Sequence, residues 1–171
     1  RIGGMTAFDL AAYYSHQYLL EYLIKKFPEE IKKKNQALVY AAWGDDKDIL
    51  KYLIEDEDVD INYRHNDIME TALTTAAYEG HFDIVKFLLK HGASISISND
   101  NYHSALQYAE DEDHTEIIEL LKKYQERRKK AKRQSTQKYQ ESRKKIQESR
   151  KQRETRKAEG KKKKRKKSRN H

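Results

Sequence analysis

Residues able to do chemistry are common in this chain, but few of them stand at useful spacings. The densest carboxylate run is Glu55-Asp56-Glu57-Asp58-Val59-Asp60, with Asp67 at the twelfth position counted from Asp56. A calcium loop alternates carboxylates in this way, but it needs Gly at its sixth position for the sharp turn. Ile61 stands there, so the run reads as an acidic connection and no metal site is expected. The seven histidines include no i, i+4 pair with a neighbouring Glu, the spacing of a zinc helix. There is no cysteine, which excludes disulfides, thiolate metal sites and cysteine nucleophiles. No Gly-rich phosphate loop or Gly-x-Ser-x-Gly elbow occurs. These residues predict neither an enzyme nor a cofactor.

The second charge concentration is basic. Residues 125–171 hold 23 Lys/Arg against 5 Asp/Glu, a net of +18, whereas residues 1–124 carry a net of −10. With 36% hydrophobic and 37% charged residues overall, the chain is too polar to be packed throughout. We therefore expect an acidic folded body (1–124) and a basic tail (125–171). No run approaches the ~18 apolar residues of a membrane span, and no signal stretch opens the chain, so an intracellular, cytoplasmic or nuclear location is expected.

The elements that position the body's residues emerge from its repetition. An Ala followed downstream by a Leu/Ile/Val cluster recurs with first Ala at 11, 41, 76 and 109, spacings of 30, 35 and 33 residues. Upstream stand Phe8, Leu38, Leu73 and Leu106. Downstream run the columns Leu19/Ile49/Ile84/Ile117, Leu20/Leu50/Val85/Ile118, Tyr22/Tyr52/Phe87/Leu120 and Leu23/Leu53/Leu88/Leu121. The i, i+3, i+4 spacing predicts two short helices per copy, the first with an Ala face that lets a neighbouring helix approach closely. Thr6, Thr71 and Ser104 are placed to N-cap the first helix, and Gln36 stands at that position in the second copy, predicting a weaker start there.

This pattern resembles the ankyrin-repeat family over about residues 1–124, in four copies (about 1–33, 34–65, 66–98 and 99–124). The third copy, from Thr71 to Ala93, matches most closely. The resemblance implies an all-α solenoid of stacked antiparallel helix pairs joined by short β-hairpin-like finger loops. Where the family has Thr-Pro-Leu-His, this chain has Ala7, Ala37, Ala72 and Ala105 for the Pro, and Asp9, Val39, Thr74 and Gln107 for the His. Loss of that His predicts a less rigid stack. His16, His81 and His114 fall at the family's Gly-His turn and imply structural roles. The connection from Phe27 to Lys34 lacks the Gly-Ala finger start, so no hairpin is expected there.

The fourth copy reads as an end cap. Glu110 takes the second Ala position, and Lys122 the place of Ile24, Ile54 and Leu89. A terminal repeat needs such a polar face because no neighbour covers it. The first copy lacks it, with Phe8, Leu10, Leu20 and Ile24, which predicts further repeats or another domain upstream.

Ligands of the resembled family meet its concave face. The residues after each Ala pair are Tyr13-Tyr14, Trp43-Gly44, Tyr78-Glu79 and Asp111-Glu112. Tyr13, Trp43 and Tyr78 share one column that Asp111 ends. Exposed aromatics of this kind mark interfaces; the competing reading is that they lean over and pack on the next repeat. Asp67, Glu70, Asp100, Asn101 and His103 in the finger regions add acidic and polar groups, so a basic or mixed peptide fits best as the protein partner.

In the tail, QESRKKI (140–146) and QESRKQR (147–153) repeat at seven residues, and Glu126–Lys130 and Glu141–Lys145 have the favourable i, i+4 order. Tyr139 and Ile146 form no coiled-coil seam. A partly helical extension to about Glu159 is expected, broken by Gly160, with 161–169 disordered by self-repulsion. The run Lys161, Lys162, Lys163, Lys164, Arg165, Lys166 and Lys167 fits a nuclear-import signal, with RRKKAKR (127–133) as a second element. It fits equally a binder of nucleic acid or another acidic surface, or a plain solvated tail. No apolar face accompanies the charges, so no membrane anchoring is expected. The functional expectation is a protein-interaction adaptor whose tail localises it. The alternatives are a nucleic-acid-associated protein using the tail, or a regulatory fragment of a larger enzyme or channel.

Overall fold

The computed structural model describes residues 5–56, 59–65, 69–98 and 103–167, with side chains up to Lys151 apart from those of Ile31 and Asp56. Its described residues form four helix pairs: α1 (Ala7–Tyr13) with α2 (Gln17–Lys26), α3 (Ile31–Trp43) with α4 (Lys47–Asp56), α5 (Ala72–Tyr78) with α6 (Phe82–Lys90), and α7 (Ala105–Asp111) with α8 (Thr115–Lys167). The first helices stack in order, α1 on α3, α3 on α5 and α5 on α7. Their Ala faces permit this: Ala11, Ala12, Ala41, Ala42, Ala76, Ala77 and Ala109 have no accessible surface. The apolar columns close the core behind them, with Ile49, Leu50, Leu53, Ile84, Val85, Leu88, Ile117 and Leu121 buried. Each such side chain contributes roughly 1.5–3 kcal/mol by leaving water. Among the described residues there is no strand, only one antiparallel bridge between Ser98 and Ser104.

Three helix starts follow from local chemistry. Thr6, Thr71 and Ser104 each accept a hydrogen bond from the backbone N–H three residues on, and the side chains of Asp9, Thr74 and Gln107 in turn accept one from the cap's own N–H. The residues standing in place of the family His thus complete capping boxes. Asp9 is buried, and its Oδ2 accepts from the Thr6 N–H at 2.7 Å and the Thr6 hydroxyl at 2.8 Å. Burial pushes its carboxyl above the usual range, against the opposing pull of the Thr6 bonds, His65 and Lys33.

The second copy departs from expectation. Gln36 is not at a helix start: α3 begins at Ile31, so Gln36 lies inside it. α2 ends at Lys26, just before the Phe27-Pro28 step that disfavours continuing a helix. The chain then turns in four residues, and the Lys-rich stretch that follows contains neither Gly nor Pro. Glu30 supports the new start through its backbone carbonyl, which accepts from Lys33 and Lys34, and through a 2.6 Å ion pair with Lys33. Gln36 turns to the next loop, its Nε2 lying 3.2 Å from Nε2 of buried His65.

The ends of the stack differ. Glu110 and Lys122, the polar substitutions of the fourth copy, pair with each other at 2.8 Å. On α2, by contrast, Tyr18, Leu19 and Tyr22 are exposed, although Ile49, Ile84 and Ile117 in the Leu19 column are buried.

The chain divides into two compact units at Gln125/Glu126. Beyond that point every described side chain to Lys151 is exposed, so over 126–151 the helix has no covered face. The expected break at Gly160 is absent, because α8 continues to Lys167. One Gly costs about 1 kcal/mol in a helix interior, which a long run of good helix formers absorbs. Among the described residues no helix is long and apolar enough to cross a membrane.

Candidate binding face

The turn from first to second helix in each copy sets the geometry of the face. Ser15, Asp45, Gly80 and Asp113 occupy it in the left-handed region, with φ of 60°, 58°, 82° and 58°. This reversal leaves the last residues of the first helix at the edge of the stack. Those residues are Tyr13, Trp43, Tyr78 and Asp111.

Polar links then tie neighbouring turns together. Nε2 of His81 lies 3.1 Å from the Trp43 carbonyl, and Nε2 of His114 lies 2.9 Å from the Tyr78 carbonyl. The turn histidine of one repeat thus holds the backbone under the aromatic residue of the repeat before it. Asp46 takes the histidine's place in the second copy and instead caps α4, its Oδ1 accepting from the Ile49 N–H at 2.8 Å. There Gly44 replaces the link by close approach: a Cβ on it would sit 2.4 Å from the Tyr13 carbonyl oxygen. Asn62 joins the loops of successive repeats in the same manner, accepting from the Ser94 N–H at 2.8 Å, while Asn35 of α3 accepts from the Asp60 N–H of its own repeat at 2.8 Å. The His81, His114 and Asn62 bonds supply inter-repeat polar links that the missing family histidine had suggested would be lacking.

The aromatic column is partly packed and partly open. Trp43 stacks on Tyr40 of its own helix, centroids 6.0 Å apart at 11°, and meets the Tyr13 ring edge-on at 5.7 Å. Tyr13 in turn meets Tyr14 edge-on at 5.0 Å. Even so, 37% of Trp43 and 45% of Tyr78 stays exposed. An open cleft of about 330 Å³ is lined by Trp43, Glu70, Thr75, Tyr78, Glu79 and Tyr108. Tyr108 forms one wall, edge-on to Tyr78 at 5.4 Å and stacked on His103 at 5.3 Å. Its hydroxyl donates to Glu70 Oε1. Burial, and then that carboxylate, pushes the Tyr108 hydroxyl well above the ordinary tyrosine range, so it remains a donor. His103 also lies 3.8 Å from Asp111.

Of the residues singled out in the sequence, Trp43, Tyr78, Glu79 and Glu70 come together around this cleft, with His103 and Asp111 beyond Tyr108. Tyr13 and Tyr14 lie at the other end of the column. Asp67, Asp100 and Asn101 fall outside the described residues, as do the side chains of Lys161–Lys167, whose backbone is helical. Tyr108 and Thr75 escaped sequence reasoning, although a signal existed. The residue just before each first Ala reads Leu10, Tyr40, Thr75, Tyr108, and the small Thr between two tyrosines leaves the cleft its room.

Stacked helix pairs, tight left-handed turns and an exposed aromatic edge define a helical repeat protein of the binding type. A family model described as "Ankyrin repeats (3 copies)" matches residues 38–133, and the chain belongs to that family. It is 32% identical over 92 residues to "Serine/threonine-protein kinase TNNI3K" of Mus musculus, covering 48% of this chain and 11% of the kinase. It is 33% identical over 97 residues to "Alpha-latrocrustotoxin-Lt1a" of Latrodectus tredecimguttatus, covering 56% of this chain and 7% of the toxin. The match to "Ankyrin repeat and KH domain-containing protein mask" of Drosophila melanogaster is 46% identical over 44 residues, 26% of this chain and 1% of that protein. The chain thus spans about a tenth or less of these relatives. Ankyrin repeats are protein-interaction modules, and this chain carries them.

Proposed function

We propose that this chain is an adaptor that binds a protein partner through the edge carrying Tyr13, Trp43 and Tyr78, with the basic tail serving localisation or polyanion binding. One observation carries the reading: Trp43 and Tyr78, on successive repeats, keep more than a third of their surface open although each has a ring neighbour. Large aromatic side chains left open on a stacked surface are the usual anchors of an interface. The carboxylates of Glu70, Glu79 and Asp111 at the same edge favour a basic or mixed peptide, steering its encounter.

The test uses one variant and two measurements. Trp43→Ala is expected to cost a selected partner more than ~2 kcal/mol, with a modest loss of thermal stability. If it instead lowers stability by ~3–5 kcal/mol, and the folded fraction binds normally, Trp43 is a packing residue and the reading fails. Glu79→Lys should slow association with a basic partner and leave melting nearly unchanged.

A second reading rests on the exposed basic helix after Gln125, in which the tail provides affinity for RNA or DNA and the repeats regulate it. A salt-sensitive mobility shift that requires residues 125–171 would favour it. The tail lacks interleaved aromatics for base stacking, so such binding would be insensitive to sequence.

A further inference from the structure

We infer that the cleft between Trp43 and Tyr78 is a receptor for one cationic side chain, an arginine or lysine of the bound peptide. This deepens the proposed binding role and rests on it. Among the described residues the lining contains three aromatic rings, two of them with phenolic hydroxyls, two carboxylates, the Thr75 hydroxyl and no basic group. A cation is attracted to aromatic faces by the ring quadrupole, and the attraction grows as water is excluded. Glu70 and Glu79 add charge of the right sign, while an anion entering here would meet both of them. Tyr108 holds Glu70 in place through its hydroxyl.

The decisive group is Thr75. It is 6% exposed, its Oγ1 is buried without a hydrogen-bond partner, and it lines the cleft. An unpaired buried hydroxyl is destabilising, and an N–H donor that enters the cleft and opens its wall slightly would relieve it. A purely apolar knob would leave that hydroxyl unpaired and would strip water from the carboxylates with nothing in return. A side chain that is flat or slender, apolar along its stem and rich in N–H donors at its tip answers all three demands. Arginine and lysine are the residues of that kind.

Other surfaces carry less. The exposed face of α2 (Tyr18, Leu19, Tyr22) has nothing against it that specifies a partner. Shallow depressions along the tail helix are lined mainly by its own solvated side chains.

The chain's single tryptophan makes the test direct, because the indole N–H of Trp43 gives one NMR resonance. The full chain is titrated at about 0.15 M salt, where exposed charges are screened beyond ~8 Å. The probes are N-acetyl-arginine amide and N-acetyl-lysine amide, with the citrulline and norleucine amides as neutral counterparts. Saturable movement of the Trp43 resonance by a cationic amide is expected, with affinity about tenfold weaker or worse for its neutral counterpart. Glu79→Gln and Thr75→Val should each weaken the cation and leave the neutral probes unmoved. Equal response to arginine and citrulline amides, or to lysine and norleucine amides, overturns the inference, as does no response to any of them.

The two readings fail separately. If a protein binder selected against the full chain is lost in Trp43→Ala while the amides do nothing, the binding edge stands and the cation receptor falls. If the cationic amides bind but selected proteins ignore Trp43→Ala, the cleft stands as a cation site and the protein-binding edge falls.

Discussion

The joint between the first and second repeats and the joints that follow it solve one problem in two ways. In each, the last turn of a first helix must be held against the next repeat. At the second and third joints a histidine reaches back to a carbonyl, His81 to Trp43 and His114 to Tyr78. At the first joint Asp46 is occupied in capping α4, and the backbones themselves close up, Gly44 against Tyr13. The aromatic edge changes with the joint. Where Gly44 lets the repeats approach, the Tyr13 and Trp43 rings touch; where His81 and the small Thr75 set the spacing, a cleft opens between Trp43 and Tyr78. A packed joint and a recessed one thus arise from the same helix pair through a few side chains.

Breaking the first joint should have the largest effect. Gly44→Ala places a Cβ against the Tyr13 carbonyl, a backbone group that cannot swing aside. A loss at the upper end of the ~1–3 kcal/mol typical of overpacking is expected in urea denaturation. Wild-type stability in this variant would mean that the contact is not a constraint.

The later joints should be more forgiving. His81→Ala and His114→Ala each remove one bond to a carbonyl near solvent, and a loss of about 0.5–1.5 kcal/mol is expected for each. His16, in the same turn position of the first copy, is exposed, and His16→Ala should melt close to wild type. Equal losses at all three positions would refute the distinction between these histidines.

The smallest effect should come from the turns themselves. Asp113 adopts φ 58° where the third copy has Gly80 at 82°. Asp113→Gly should relieve the left-handed penalty, worth up to ~1–2 kcal/mol before the extra flexibility of glycine in the unfolded chain is subtracted. A small rise in melting temperature is expected, and a fall would show that the Asp113 side chain contributes more than its backbone costs.

Much of this architecture was legible in the sequence because its signals are periodic. The Ala faces, the downstream columns and the caps at Thr6, Thr71 and Ser104 repeat with the fold, and each copy corroborates the others. The same periodicity misleads at Gln36. The repeat places a cap there and a helix start at Ala37, but after Pro28 a Lys-rich stretch lets α3 begin at Ile31, six residues earlier. Gly160 has no periodic signal to place it, and the good helix formers on both sides carry α8 through it to Lys167.

The sequence alone determined the family, the number of helix pairs, the aromatic column and the division of charge between body and tail. Those are properties of spacing and composition, which need no neighbour to be read. Only the tertiary structure decided which aromatic residues pack and which stay open, and that Thr75, Tyr108 and Glu70 share a cleft with Trp43. Residues 43, 75 and 108 belong to three different repeats, and their meeting depends on how closely each joint lets the helices approach. That distance is set by backbone contacts and single hydrogen bonds, which leave no periodic trace in the chain.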